Sequence, residues 1–178
     1  PTLPHNVDLS RQHAPRVTPS GESLKLSKRG EYALRILIRL SAETASGRSM
    51  LSIRDLADTE RIPQSFLEQI LLQLKRAGYL DSKRGISGGY YLAVPAERIR
   101  VGEIIRLMDG TIAPVSCVSR IAYARCTCPD ETTCGLRMLM SELREAMVEV
   151  LDRRTLAEVA AMSLAAGGKR GGNTRRLR

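Results

Sequence analysis

Between Ile62 and Val94 the chain changes its apolar period, in the stretch IPQSFLEQILLQLKRAGYLDSKRGISGGYYLAV. Phe66, Leu67, Ile70, Leu71, Leu74 and Ala77 recur at steps of three and four, which predicts one apolar face of a helix. Ser65, Glu68, Gln69, Leu72 and Lys75 fall on another face, and only Leu72 among them is apolar. Gly78 supplies the stop, because glycine takes the left-handed cap cheaply. Tyr79 to Arg84 and Tyr90 to Val94 then read as two short strands around the turn Gly85-Ile86-Ser87-Gly88-Gly89, with Lys83 and Arg84 on its shoulder. A helix of this kind followed by a basic hairpin predicts a winged helix-turn-helix, an arrangement suited to reading DNA.

The flanking segments extend the helical reading. Ser27 is placed to cap a first helix from Lys28 to about Thr44, with Tyr32, Ala33, Ile36, Leu37 and Leu40 inward. Ser52 and Asp55 stand at capping-box spacing before a short helix, Ile53 to Thr59, and Pro63 suits the first turn of the next. Val101 to Met108 reads as a short helix with Ile104, Ile105 and Met108 inward, ended by Asp109-Gly110. Residues 111–134 read as a loop, and Thr132 or Thr133 is the expected cap of a long helix from Gly135 to Arg153. Along that helix Leu136, Leu139, Leu143, Ala146 and Val150 step 3, 4, 3, 4, a heptad seam that predicts dimerisation. Met140, Met147 and Leu151 widen it. Thr155-x-x-Glu158 opens a last helix, Leu156 to Leu164.

The expected architecture is mainly α with a small β-wing. A disordered arm (1–23) precedes a winged helix-turn-helix domain (24–110), a cysteine-rich loop (111–134), dimerisation helices (135–164) and a basic disordered tail (165–178).

Charge sharpens this picture. The net charge is +9 over 178 residues, which suggests an anionic partner, nucleic acid first. Residues 24–100 hold 14 basic and 8 acidic side chains, whereas residues 101–164 hold 7 and 9. The excess therefore lies with the helix and hairpin, and again in the tail at Lys169, Arg170, Arg175, Arg176 and Arg178. No apolar run approaches the roughly 18 residues of a membrane span, and the first residues lack the apolar core of a signal peptide. A cytoplasmic protein with reduced thiols is expected. No nucleophile with a histidine base and no phosphate loop is visible, so no enzyme is expected; both histidines, His5 and His13, lie in the arm.

Four cysteines, Cys117, Cys126, Cys128 and Cys134, crowd into 18 residues, separated by eight, one and five positions. In a reducing compartment this points to a metal site before disulfides. No CxxC occurs, which disfavours zinc. Iron–sulfur clusters accept irregular loops of thiolates. Cys134 precedes a helix N-terminus, where the dipole favours a thiolate.

The segments LKLSKRGEYALRILIRLS, SFLEQILLQLKRAGYLDSKRGISGGYYLA and VGEIIRLMDGTIAPVSC resemble the Rrf-two family of bacterial winged-helix regulators, which includes IscR, NsrR and RirA. The resemblance covers about residues 24–164 and leaves both tails outside. It implies a homodimer bound to a palindromic operator in double-stranded DNA, most simply as a repressor. Ser65, Glu68 and Gln69 would then face the major groove and Arg84 would enter the minor groove, with Lys83 beside it on the DNA, and Ser27, Lys28 and Arg29 would meet the phosphates. Leu136, Leu139, Leu143 and Val150 would hold the dimer.

The resemblance also implies an iron–sulfur cluster, two-iron or four-iron and open to loss on purification. Cys117, Cys128 and Cys134 match the three cysteine ligands of cluster-binding members. The gap from Cys117 to Cys128 is longer than in IscR, and Arg137 stands where IscR has a histidine. The fourth ligand is then Cys126 or Glu31, the latter matching an aspartate ligand of NsrR. Some members lack a cluster, so a thiol switch of the same fold is the alternative. A ferredoxin-like electron carrier is a more distant one, since it leaves the basic wing unexplained.

Overall fold

The computed structural model describes residues 26–48, 50–85 and 88–171. The expected disordered arm lies outside these residues, as do Ile86 and Ser87 at the wing tip and residues 172–178 of the tail. The chain runs through α1 (Lys28–Ala45), α2 (Ile53–Glu60), α3 (Gln64–Arg76), β1 (Leu80–Lys83), β2 (Gly89–Leu92), α4 (Val101–Asp109), α5 (Gly135–Arg153) and α6 (Leu156–Gly171). Single 3-10 turns occur at Ala96–Arg98 and Ser116–Val118.

The caps act largely as their residue types require. Ser27 and Ser52 accept from the N–H groups of Gly30 and Asp55. Thr155 and Glu158 cap α6 reciprocally, at 2.8 and 3.2 Å. Gly78 holds φ +80 after α3, the left-handed turn that only glycine takes without strain.

One buried core unites the first half of the chain. Ala33, Ile36, Leu37 and Leu40 of α1 meet Leu56 of α2, Leu67, Ile70, Leu71 and Leu74 of α3, Ile104 of α4 and Leu156 of α6. β1 and β2 pair antiparallel, Leu80 opposite Leu92 and Lys83 opposite Gly89. Leu51 adds a bridge, exchanging both backbone hydrogen bonds with Tyr90. The wing is thereby stitched to the segment before α2. A smaller apolar cluster, Val101, Ile105 and Ile112, receives Met147, Val148 and Leu151 of α5.

Four expectations need correction. Phe66 is not a core residue: it is 38% exposed, and its ring stands edge-on to Tyr32 at 5.7 Å. Ala77 is exposed as well, because the chain turns into the cap there. The core stripe is the narrower set Leu67, Ile70, Leu71 and Leu74. The strand bounds shift: β1 loses Tyr79 and Arg84, one residue at each end, while β2 begins one residue early at Gly89 and stops two short of Val94, where the ladder gives way to turns. Met147 and Leu151, beside the seam on α5, are partly buried against the cluster of Val101, Ile105 and Ile112. The last helix continues to Gly171, seven residues past its expected end and into the segment expected to be disordered; Ala165 and Ala166 favour the first step of that extension, while Gly167 and Gly168 do not.

Candidate nucleic-acid interface and cysteine centre

The buried stripe of α3 fixes which residues face outward. Ser65, Glu68, Gln69 and Leu72 are all exposed, and Gln64 Nε2 donates to Glu68 Oε1 at 3.2 Å. Lys83 and Arg84 are exposed at the end of β1. Lys75, the cation between helix and wing, is already paired to Asp81 at 2.8 Å and donates to Ser82. That pair holds the Asp81 carboxyl below the usual carboxylate range. The exposed chemistry on this face is a hydroxyl, an amide, a carboxylate and two cations, a set suited to base edges and a narrow groove.

The start of α1 departs from expectation. Ser27 donates from both its N–H and its hydroxyl to the carboxylate of Asp109, the last residue of α4. An anion therefore already occupies the position at which Ser27 was expected to meet a phosphate. The fit is close: a Cβ on Gly30 would lie 2.7 Å from Asp109 Oδ2, so the carboxylate leaves room for glycine alone. Lys28 and Arg29 remain exposed, with Lys28 Nζ 2.8 Å from Glu31.

Glu31 is likewise engaged. It bridges Lys28 and, at 3.5 Å, Arg35, which in turn holds Glu60 of α2. The hydrogen bond from Lys28 keeps its carboxyl below the usual range. Within the chain it joins an ion-pair network of α1 rather than the cysteines.

All four cysteines are free thiols gathered along one loop. Cys117 is buried on the turn Ser116–Val118, close enough to Cys126 for that thiol to perturb its titration. Cys126 Sγ accepts from the Cys128 N–H at 3.3 Å. Cys128 Sγ lies 3.9 Å from Cys134 Sγ. Cys134, not a threonine, is the N-cap of α5, accepting from the Arg137 N–H at 3.5 Å. Thr132 and Thr133 instead donate their hydroxyls to Asp130. The sulfurs form a string, and among the described residues no three of His, Cys, Asp or Glu close on a single metal ion. Four soft donors strung along a loop suit the wider perimeter of an iron–sulfur cluster.

The crowding has an electrostatic consequence. Hydrogen bonds with Cys126, and then with Cys134, push the Cys128 thiol up to about 12. Burial, followed by the neighbouring Cys126, raises that of Cys117. These thiols hold their protons at neutral pH, so they are poor nucleophiles until a metal displaces the protons.

Several site contacts carry no sequence signal beyond a charged residue in a loop or helix. Glu131 accepts from the Cys126 N–H and the Tyr123 hydroxyl. Arg137 donates to the Cys117 carbonyl at 3.3 Å, from the position three residues after the last cysteine. Arg106 and Asp152 form a bidentate pair at 2.7 and 2.8 Å that locks α4 to α5. The seam residues Leu136, Leu139, Leu143 and Val150 stand 37–59% exposed, a row of aliphatic side chains facing outward.

The family model Rrf2, described as an iron-dependent transcriptional regulator, matches residues 26–162. The chain belongs to the Rrf2 family. An rrf2-like helix-turn-helix regulator of Rhodobacter capsulatus is 36% identical over 138 residues, covering 76% of this chain and 92% of that one. The transcriptional regulator IscR of Cereibacter sphaeroides is 39% identical over 89 residues, half of this chain and 57% of its own. Among solved structures, CymR, the global cysteine regulator of B. subtilis, is 33% identical with a TM-score of 0.65, covering 79% of this chain and 98% of that one. The winged-helix fold and a DNA-binding role in transcription follow, and the relatives are regulators rather than enzymes. No helix among the described residues is long and apolar enough to cross a membrane.

Proposed function

We propose that this Rrf2-family regulator is a homodimeric, cytoplasmic repressor whose operator binding is set by an iron–sulfur cluster on Cys117, Cys126, Cys128 and Cys134. The carrying observation is the string of four thiols in the loop that joins α4, the end of the DNA-reading half, to α5. Cys126 is the fourth ligand in this reading, because it sits among the other sulfurs while Glu31 is held by Lys28 and Arg35. When bound, the cluster supplies redox and small-molecule sensitivity. The chain supplies the linkage. The loop leaves α4 at Asp109, whose carboxylate holds the start of α1, and Arg106 ties α4 to Asp152 of α5. A change in loop geometry thus bears on both the first helix of the reading half and the helix of the seam.

In this reading α3 enters the major groove of each half of a palindrome, and the wing places Lys83 and Arg84 against the flanking minor groove. Half-sites lie about one helical turn apart. Anaerobic purification followed by an absorption spectrum and an operator gel shift, before and after air exposure, tests the whole reading. A visible band that bleaches together with a change in operator affinity is expected. A colourless protein free of iron, with one affinity throughout, would sink it.

A thiol switch has one observation in its favour: Cys128 and Cys134 are near enough for a disulfide after a small shift. The raised pKa of Cys128 weighs against it, since a switch thiol reacts as thiolate.

A further inference from the structure

We propose that Glu131 is the positioning residue that presents Cys126 as a cluster ligand; this rests on the cluster reading above. Cys126 lies on the longer arm of the loop, nine residues beyond Cys117 and with no regular structure around it. Something must hold that arm against the turn that carries Cys134. Glu131 uses both carboxylate oxygens for it. Oε1 accepts from the Cys126 N–H at 2.9 Å, and Oε2 accepts from the Tyr123 hydroxyl at 2.7 Å. The two donors are three residues apart, so one side chain pins the whole Tyr123–Cys126 segment.

The platform beneath Glu131 is itself held. Asp130 accepts from the Thr132 N–H and hydroxyl and from the Thr133 hydroxyl, at 2.7–2.8 Å. That turn leads directly into Cys134, the cap of α5. Glu131 therefore references Cys126 to the same rigid turn that places Cys134, and Cys126 in turn receives the Cys128 N–H. A direct ligand role for Glu131 is less favourable, because both oxygens would have to abandon their donors. Hydrogen bonds to a charged acceptor are among the stronger ones. The exposed ring of Tyr123 also gains a purpose: its hydroxyl is the second anchor of the carboxylate.

The test begins with full-length wild-type chain reconstituted anaerobically with ferrous iron and sulfide. Failure to form a visible cluster there counts against the cluster reading, not against Glu131. With the cluster formed, its bleaching by an iron chelator is timed. Glu131→Ala should bleach about tenfold faster or more, the usual scale for losing a residue that orients a ligand. Glu131→Gln, which retains one acceptor oxygen, and Tyr123→Phe, which retains the Cys126 contact, should fall between. The thermal midpoint of the cluster-free chain should not move.

On a Cys126→Ala background, Glu131→Ala should add nothing. An equal acceleration there would show that Glu131 does not act through Cys126 and would overturn the proposal. So would a wild-type bleaching rate in Glu131→Ala. Loss of the cluster in Glu131→Ala with retention in Cys126→Ala would make Glu131 a ligand instead, which also overturns it. If Cys126→Ala forms no cluster, alkylation of the cluster-free chain decides. Glu131→Ala should speed modification of Cys126 severalfold and leave Cys134 unchanged; an unaltered Cys126 rate refutes the role.

Discussion

The two halves of this chain bury themselves to very different degrees. α3, with 13 residues, buries Leu67, Ile70, Leu71 and Leu74 in a core shared with α1, α2, α4 and α6. α5, with 19 residues, buries only Arg144, and leaves Leu136, Leu139, Leu143 and Val150 outward. The loop before α5 likewise presents four unoxidised thiols to one another. The reading half is complete as a folded body. The other half leaves an apolar row on its surface and gathers four thiols along the loop before α5. An exposed aliphatic row of that length marks an interaction surface in a protein otherwise well packed.

The largest test of this contrast is on the seam. Leu143→Asp would place an unpaired charge in an apolar interface, at a cost of about 3–5 kcal/mol to association. Sedimentation should change from dimer to monomer and operator binding should be lost, while circular dichroism of the chain stays helical. A wild-type chain that sediments as a monomer at micromolar concentration would remove the seam from the account.

Leu37→Ala probes the opposite half. Leu37 is fully buried in the α1 core, and truncation there should lower folding stability by about 2–5 kcal/mol. Denaturant midpoints read the effect. Leu139→Ala, at 57% exposure, should leave a dilute monomer's stability unchanged and weaken only the dimer. Similar losses of monomer stability from both substitutions would erase the distinction between the halves.

A smaller effect is expected at the DNA face. Arg84→Ala should cost about 1–3 kcal/mol on a specific operator and reduce the salt slope of binding by roughly one. An unchanged footprint and slope would take Arg84 out of the readout. Lys75→Ala should matter less to DNA, since Asp81 and Ser82 already hold that ammonium.

Legibility in the sequence followed the physics of each feature. Period and caps are local, so the helices, the wing and the reciprocal Thr155–Glu158 cap could be read from the residues directly. The outward set Ser65, Glu68 and Gln69 followed once the apolar face of α3 was assigned. Phe66 misled because an aromatic residue at the edge of a stripe satisfies the same spacing; only the position of Tyr32 decides its side. The contact of Asp109 with the start of α1 spans 82 positions, and the Arg106–Asp152 pair spans 46. Pairings at such separation leave no periodic trace. Glu131 was hidden for another reason: a carboxylate between cysteines resembles any solvated loop residue until its donors are known.

The finest distinction between the halves is in their titration. The Cys128 thiol, pushed up to about 12 by its hydrogen bonds with Cys126 and Cys134, keeps its proton more tightly in the folded chain than in the unfolded one. A raised folded pKa stabilises the fold fully below the unfolded value, and that contribution is lost as pH climbs through the folded value. In the cluster-free chain the loss should fall between about pH 9 and 12. Serine at position 128 does not titrate in this range, so Cys128→Ser should show a shallower fall in thermal midpoint across it than wild type. Parallel curves would mean that the sulfur string does not persist in solution. The same protons must leave when thiolates bind iron, so the affinity for ferrous iron should rise with pH through the neutral range in wild type and less steeply in Cys128→Ser.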